Sequence, residues 1–309
     1  MNFTPVRTIN AHKGIIYHII YLKDGRLASC SSDKTIKVFN LRDYNCDITI
    51  PAHDSEIWYI AQLPDLKIVS CSDDSSIKVW MISRYSYRLV HSILNAHEGY
   101  ITQILPISGN RMVSCAYDET IKIWNSLPPY NLVKLLKDAS DENESRQNTL
   151  YELKQKNMLL SCSVFGKGLT FYNLKTYCVE TIISVCCCDR NAILEYDNKL
   201  FLGSYSSLSI INLDNLSVMK LMDSEPDFLY SLCKANLGDV ICFLPIKKNV
   251  VMCCAGMGNV FLFDYKEKKR VKTKRKLTEE AIYRILKIDN DRFITCSNKI
   301  QFWMGKENL

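Results

Sequence analysis

The chain has 309 residues, 47% hydrophobic and 23% charged, with 39 Lys and Arg against 33 Asp and Glu and a net charge of +6. That apolar share suits an ordinary folded core and argues against disorder. No apolar run approaches the roughly 20 residues of a membrane helix, and the opening residues 1–7 (MNFTPVR) lack the apolar stretch of a secretory signal. The expectation is a soluble protein of the cytoplasm or nucleus, whose fourteen cysteines are thiols rather than a disulfide framework.

In chain order, a strand is predicted over residues 15–22, a largely apolar run that ends in the turn Lys23-Asp24-Gly25. The phrase RLASCSSDKTIKVF follows at 26–39: two strands joined by a Ser-Ser-Asp-Lys turn, with Ile36 and Val38 on one face and Lys37 on the other. A fourth strand is predicted over 46–50. The pattern then repeats. A strand over 57–63 leads to KIVSCSDDSSIKVW at 67–80, and one over 101–107 leads to RMVSCAYDETIKIW at 111–124. Cys30, Cys71 and Cys115 mark the period, 41 and then 44 residues. Four weaker copies follow: 158–162 leading to 169–172, 199–203 to 208–211, 250–254 to 260–263, and 292–296 to 300–303.

A period in the forties with four strands per copy predicts small twisted sheets whose faces are covered by neighbouring sheets. The fold expected is all-β: a single seven-bladed β-propeller over residues 1–309, with three clear repeats in 10–125 and four degenerate ones in 126–305. The last copy ends one strand short at Trp303, and Val6 to Ile9 precede the first repeat without a blade of their own. The N-terminal segment is therefore predicted to pair beside 300–303 and close the ring.

The first three copies resemble the WD-repeat family residue by residue. Ala11-His12, Ala52-His53 and Ala96-His97 stand where the family has Gly-His. Ser29, Ser70 and Ser114 match its strand hydroxyl, and Asp33, Asp74 and Asp118 its turn acid. Trp80 and Trp124 match its strand Trp, with Phe39 replacing it in the first copy. The resemblance implies that His, Ser, Asp and Trp form a hydrogen-bonded tetrad inside each of these blades, which is how a buried carboxylate becomes tolerable. The later copies depart from the pattern. Glu144, Val185, Asn236 and Thr278 fall at the His position, and the turn Asp is missing.

The resemblance further implies which residues face the upper mouth of the propeller. These are Ile15, Tyr17 and Ser32 in the first copy, Glu56, Trp58 and Asp73 in the second, and Tyr100, Thr102 and Tyr117 in the third. The sixth contributes Asp239 and Ile241, the seventh Ala281 and Tyr283, and Arg190 is a looser assignment from the fifth. Tyr17, Glu56, Trp58, Asp73, Tyr100, Tyr117, Asp239 and Tyr283 make an aromatic and acidic set. Tyr and Trp are favoured interface anchors, and rings beside carboxylates suit a Lys or Arg of a partner.

Between Lys266 and Lys276 stand eight basic residues (Lys266, Lys268, Lys269, Arg270, Lys272, Lys274, Arg275 and Lys276) against Glu267. Such a run serves as a solvated edge strand that prevents aggregation, or as a nuclear-import signal, an acidic-partner contact or a phosphate site. The acidic stretch 138–144 reads as a connection, and 213–234 as a long inter-blade loop. Cys186-Cys187-Cys188 sits poorly for a shared ion, because adjacent strand residues point to opposite faces.

No nucleophile elbow, glycine-rich phosphate loop or zincin helix occurs. His12, His53 and His97 belong to the tetrads, and His18 and His91 have no Cys or acid at a family spacing. The function expected is therefore a non-enzymatic scaffold or adaptor that binds a protein or peptide through the upper mouth, as part of a larger complex, without cofactor or metal. The alternative is binding of anionic lipid or nucleic acid through 266–276.

Overall fold

The computed structural model describes residues 2–137, 148–163, 168–185, 192–204, 207–220, 240–255, 258–271, 276–289 and 291–306. Strand β1 (Asn2–Ile9) opens the chain and belongs to the last blade. Ala11–Ser184 form one compact unit of four blades. The first blade is β2 (Ile16–Tyr21), β3 (Leu27–Ser31), β4 (Thr35–Phe39) and β5 (Cys46–Pro51). The second is β6 (Ile57–Gln62), β7 (Ile68–Ser72), β8 (Ile77–Ile82) and β9 (Tyr87–Ile93). The third is β10 (Ile101–Ile107), β11 (Arg111–Ala116), β12 (Thr120–Asn125) and β13 (Leu132–Lys137), and the fourth β14 (Asn148–Leu153), β15 (Met158–Ser163), β16 (Leu169–Asn173) and β17 (Val179–Ile183).

Met1–Asn10 with Val185–Leu309 form the other unit, of three blades. The fifth blade holds β18 (Ile193–Tyr196), β19 (Lys199–Ser204), β20 (Ser207–Asn212) and β21 (Val218–Lys220). The sixth holds β22 (Val240–Lys247), β23 (Val250–Ala255), β24 (Val260–Asp264) and β25 (Lys269–Val271). The seventh consists of β26 (Arg284–Lys287), β27 (Arg292–Cys296), β28 (Ile300–Lys306) and β1. Each sheet is antiparallel, with its strands paired in sequence order except where β1 joins β28. This is the seven-bladed β-propeller class. Among the described residues no α-helix occurs.

Local chemistry explains the meanders. In each of the first three blades the turn Asp accepts the amide two residues on: Thr35 N to Asp33 at 3.1 Å, Ser76 N to Asp74 at 3.0 Å, and Thr120 N to Asp118 at 3.0 Å. The residue after each Asp, Lys34, Ser75 or Glu119, takes a positive φ, as a short hairpin loop requires.

The blades hold together through apolar seams. Cys30, Ile36 and Val38 of the first blade pack with Ile57, Ile60 and Trp80 of the second, and Cys71, Ile77 and Val79 of the second pack with Ile101, Met112 and Trp124 of the third. Cys30, Cys71, Cys115 and Cys162 are wholly buried thiols outside any disulfide, small apolar side chains where two sheets approach.

In the seventh blade β1 pairs with β28 from Asn2↔Lys306 to Ile9↔Ile300, so the N-terminal segment completes the sheet as its outer strand. Buried Phe3 meets the Phe293 ring edge-on at 5.2 Å.

Candidate binding site on the first three blades

Two tetrads and one triad hold the connections that precede the inner strands. His53 Nδ1 donates to Asp74 at 2.9 Å, its Nε2 accepts from Ser70 Oγ at 2.7 Å, and Trp80 Nε1 donates to the same Oγ at 3.0 Å. The third blade repeats this with His97, Asp118, Ser114 and Trp124 at 2.9, 2.7 and 2.9 Å. In the first blade His12 bonds Asp33 at 3.0 Å and Ser29 at 2.7 Å, but Phe39 offers no indole N–H. The three His side chains are fully buried. Each Asp also accepts a backbone amide from the connection, Lys13, Asp54 or Glu98.

Burial alone would raise the pKa of Asp33, Asp74 and Asp118, but hydrogen bonds from His, hydroxyl and amide donors outweigh it and hold all three well below the usual carboxylate range. Burial pushes His53 and His97 below 6.5, against the opposing pull of Asp74 and Asp118. The networks of the second and third blades each thus place a neutral imidazole between a carboxylate and a hydroxyl.

These clamped connections deliver the chain to the inner strands, where the mouth-facing candidates lie. The β2–β3 ladder skips Tyr17, the β6–β7 ladder skips Trp58, and the β10–β11 ladder skips Thr102. An extra residue in one strand of a pair is a bulge, which re-aims its side chain. Tyr17 and Trp58 are both half-buried, and their rings stack with centroids 4.1 Å apart and planes 29° apart. Tyr17 Oη donates to Glu56 Oε2 at 2.7 Å, and Trp58 Nε1 donates to Asp73 Oδ1. One aromatic pair across two blades therefore carries a carboxylate on each ring's polar handle.

In the third blade Tyr100 is 54% exposed, and Tyr117, half-buried, meets it edge-on at 5.9 Å. Thr102 is wholly buried, its hydroxyl 3.4 Å from the Cys115 carbonyl, which corrects its expected place facing the mouth. The short threonine is covered at its bulge, where the longer Tyr17 and Trp58 side chains stay partly exposed. Ser32 Oγ is engaged by the Ile15 amide at 2.9 Å. Tyr283, in the three-blade unit, is half-buried, with its amide donating to Cys296 O at 2.9 Å. Asp239 and Arg190 lie outside the described residues.

Of the basic run, Lys266, Lys268 and Lys269 are exposed around the turn into β25, the outer strand of the sixth blade. Lys276 contacts Glu279. Lys272, Lys274 and Arg275 lie outside the described residues, as do 138–144 and Cys186 to Cys188. Among the described residues no cluster of three or more His, Cys, Asp or Glu could hold a metal ion. No helix among them is long and apolar enough to cross a membrane.

Two features escaped the sequence reading. Thr278 stands at the His position of the seventh blade, yet part of the network persists around it. Trp303 Nε1 donates to Thr295 Oγ1 at 2.9 Å, and the Glu280 carboxylate accepts from Ser297 Oγ at 2.6 Å and the Asn298 amide at 3.2 Å. The signal was Glu280, an acid displaced two residues from the His position rather than placed in the turn. His18, which lacked an acid partner by spacing, stacks on Tyr59 at 3.7 Å.

Residues 3–40, 44–81 and 88–125 match the family described as "WD domain, G-beta repeat". The chain is thus a seven-bladed β-propeller whose opening portion carries three WD repeats, a fold typical of protein-interaction scaffolds. A stretch of 41 residues is 51% identical to protein transport protein SEC13-2 of Candida glabrata, covering 13% of this chain and 14% of that protein. That stretch is one repeat long, so the likeness concerns the repeat.

Proposed function

We propose that the chain is a non-enzymatic scaffold or adaptor that acts as one seven-bladed domain and binds a protein or peptide through the mouth-facing cluster of Tyr17, Glu56, Trp58 and Asp73. The observation that carries this is the half-buried Tyr17–Trp58 stack with both polar tips tied to carboxylates. A large aromatic pair held at the surface by an acidic frame is preorganised, so a partner loses little by engaging it. The flanking carboxylates favour a Lys or Arg on the partner, through charge and through the ring faces. Tyr100 and Tyr117 extend the aromatic surface, and Asp239 and Tyr283 are further candidates.

The test is Trp58→Ala in the full chain, after partners recovered by affinity purification have been identified and made recombinantly. Binding is expected to weaken by about 2 kcal/mol or more with little loss of fold stability. A fall in folding stability of about 3–5 kcal/mol would instead identify Trp58 as core and overturn the assignment. A second reading, anionic lipid or nucleic acid on the basic run, rests on the exposed Lys266, Lys268 and Lys269. It predicts binding that declines with salt and is lost when the run is neutralised.

A further inference from the structure

The second blade presents a longer and less blunted outer edge than most of the others. Outer strands attract foreign strands unless they are blunted, and most here are. β1 carries Pro5 and Arg7, β5 carries Asp47 and ends on Pro51, and β13 carries Lys134. β17 carries Glu180, and β21 and β25 are three residues long. β9 is seven residues long, has no proline or lysine, and carries Arg88 as its one formal charge.

The edge is also apolar. Tyr87 and Leu89 on β9 are exposed, as are Met81 on β8, Tyr85 in the turn between them and Leu94 just beyond, Tyr85 by 68% and Leu94 by 70%. β8 lies on one side of β9, and no described strand pairs with its other side. Val90 and Ile93 pack against the seam with the third blade, so the strand is anchored while its far edge stays open.

Charge selects the occupant. From Met81 to His97 the sequence holds no Asp or Glu, while Arg84 and Arg88 are both exposed. Arg84 lies 5.2 Å from the Tyr85 ring and Arg88 contacts Met81 Sδ at 3.9 Å, and neither has an acidic partner among the described residues. A second copy of this chain would bring the same arginines to both sides of the seam, and like charges across a strand pair repel.

We propose that β9 accepts an extended segment of a partner protein as a fifth strand of the second blade. The segment alternates apolar residues, which cover Tyr87 and Leu89, with Asp or Glu, which meet Arg84 and Arg88. Main-chain hydrogen bonds supply the affinity of such strand addition, and the alternate side chains its specificity.

The test is a selection of random octapeptides on the full chain, followed by fluorescence anisotropy with the enriched peptide. Enrichment of alternating apolar and acidic sequences is expected, together with slowed hydrogen exchange along β9 when the peptide is bound. Binding should weaken at least tenfold for Arg88→Glu, for Leu89→Lys, and for a peptide N-methylated on alternate residues, with the circular dichroism of both variants unchanged. Trp58→Ala should leave it unaltered, which separates this surface from the mouth. Failure to enrich such peptides would overturn the proposal. So would equal affinity of the N-methylated peptide, dependence on Trp58, or self-association of the chain lost in Leu89→Lys.

Discussion

A single carboxylate shows how much each tetrad carries. Asp74 receives His53 Nδ1, the Ser76 hydroxyl and the Asp54 and Ser76 amides, so truncating it leaves several inward donors without an acceptor. Asp74→Ala should therefore cost about 1–3 kcal/mol, the penalty of unmade buried hydrogen bonds. Asp54→Ala, an exposed neighbour, should change stability by no more than about 0.5 kcal/mol. Urea unfolding of the two variants beside the parent chain is the check, and equal losses would mean that the network is not what holds this connection. Trp124→Phe recreates the side chain of Phe39 and removes the N–H that bonds Ser114 at 2.9 Å. A loss of about 1 kcal/mol or more is expected from the same measurement.

Among whole elements, β1 has the longest reach, since it joins the first residues to the last blade. Its ladder with β28 is long, and Phe3 fills the apolar cluster of Val250, Leu262, Phe293 and Trp303. Removing residues 1–9 would expose the free edge of β28 and leave a void beside Phe293, the two costs expected when a repeat array loses its cap. The melting temperature should fall substantially. A deletion variant that melts with the parent would show that β1 adds nothing to the seventh blade. The bulges in β2, β6 and β10 belong to this scale too. One extra residue at the same place in each blade presents Tyr17 and Trp58, yet buries Thr102, so the element sets the position and the side chain sets the outcome.

Acid should weaken the whole molecule through its tetrads. His53 and His97 have folded pKa values below 6.5, so the unfolded chain binds more protons, and their contribution is full above that value and declines as pH falls through it. The carboxylates of Asp33, Asp74 and Asp118 lie below 3.8 when folded. Their contribution is present above that value and is lost on further acidification. Both effects have the same sign. The melting temperature should be lower at pH 5 than at pH 7.5 and should drop more steeply below about pH 4. A flat or rising profile over this range would contradict the buried neutral imidazoles.

The sequence by itself determined the repeat, the blade count, the joining of β1 to the last blade and the tetrads. The repeat and the blade count follow from local rules, a strand–turn–strand phrase with Asp in its tight turn repeated at a nearly constant period, whereas the joining of β1 follows from the strand that the last copy lacks and the tetrads from the resemblance to WD repeats. The seam and the rim were decided only by tertiary structure. Trp58 finds Tyr17, 41 residues earlier in the sequence, Glu280 takes up donors in the last blade without a turn Asp, and β9 keeps an open apolar edge. A repeat specifies which way each position points, but what it meets there comes from the neighbouring blade, whose side chains do not repeat.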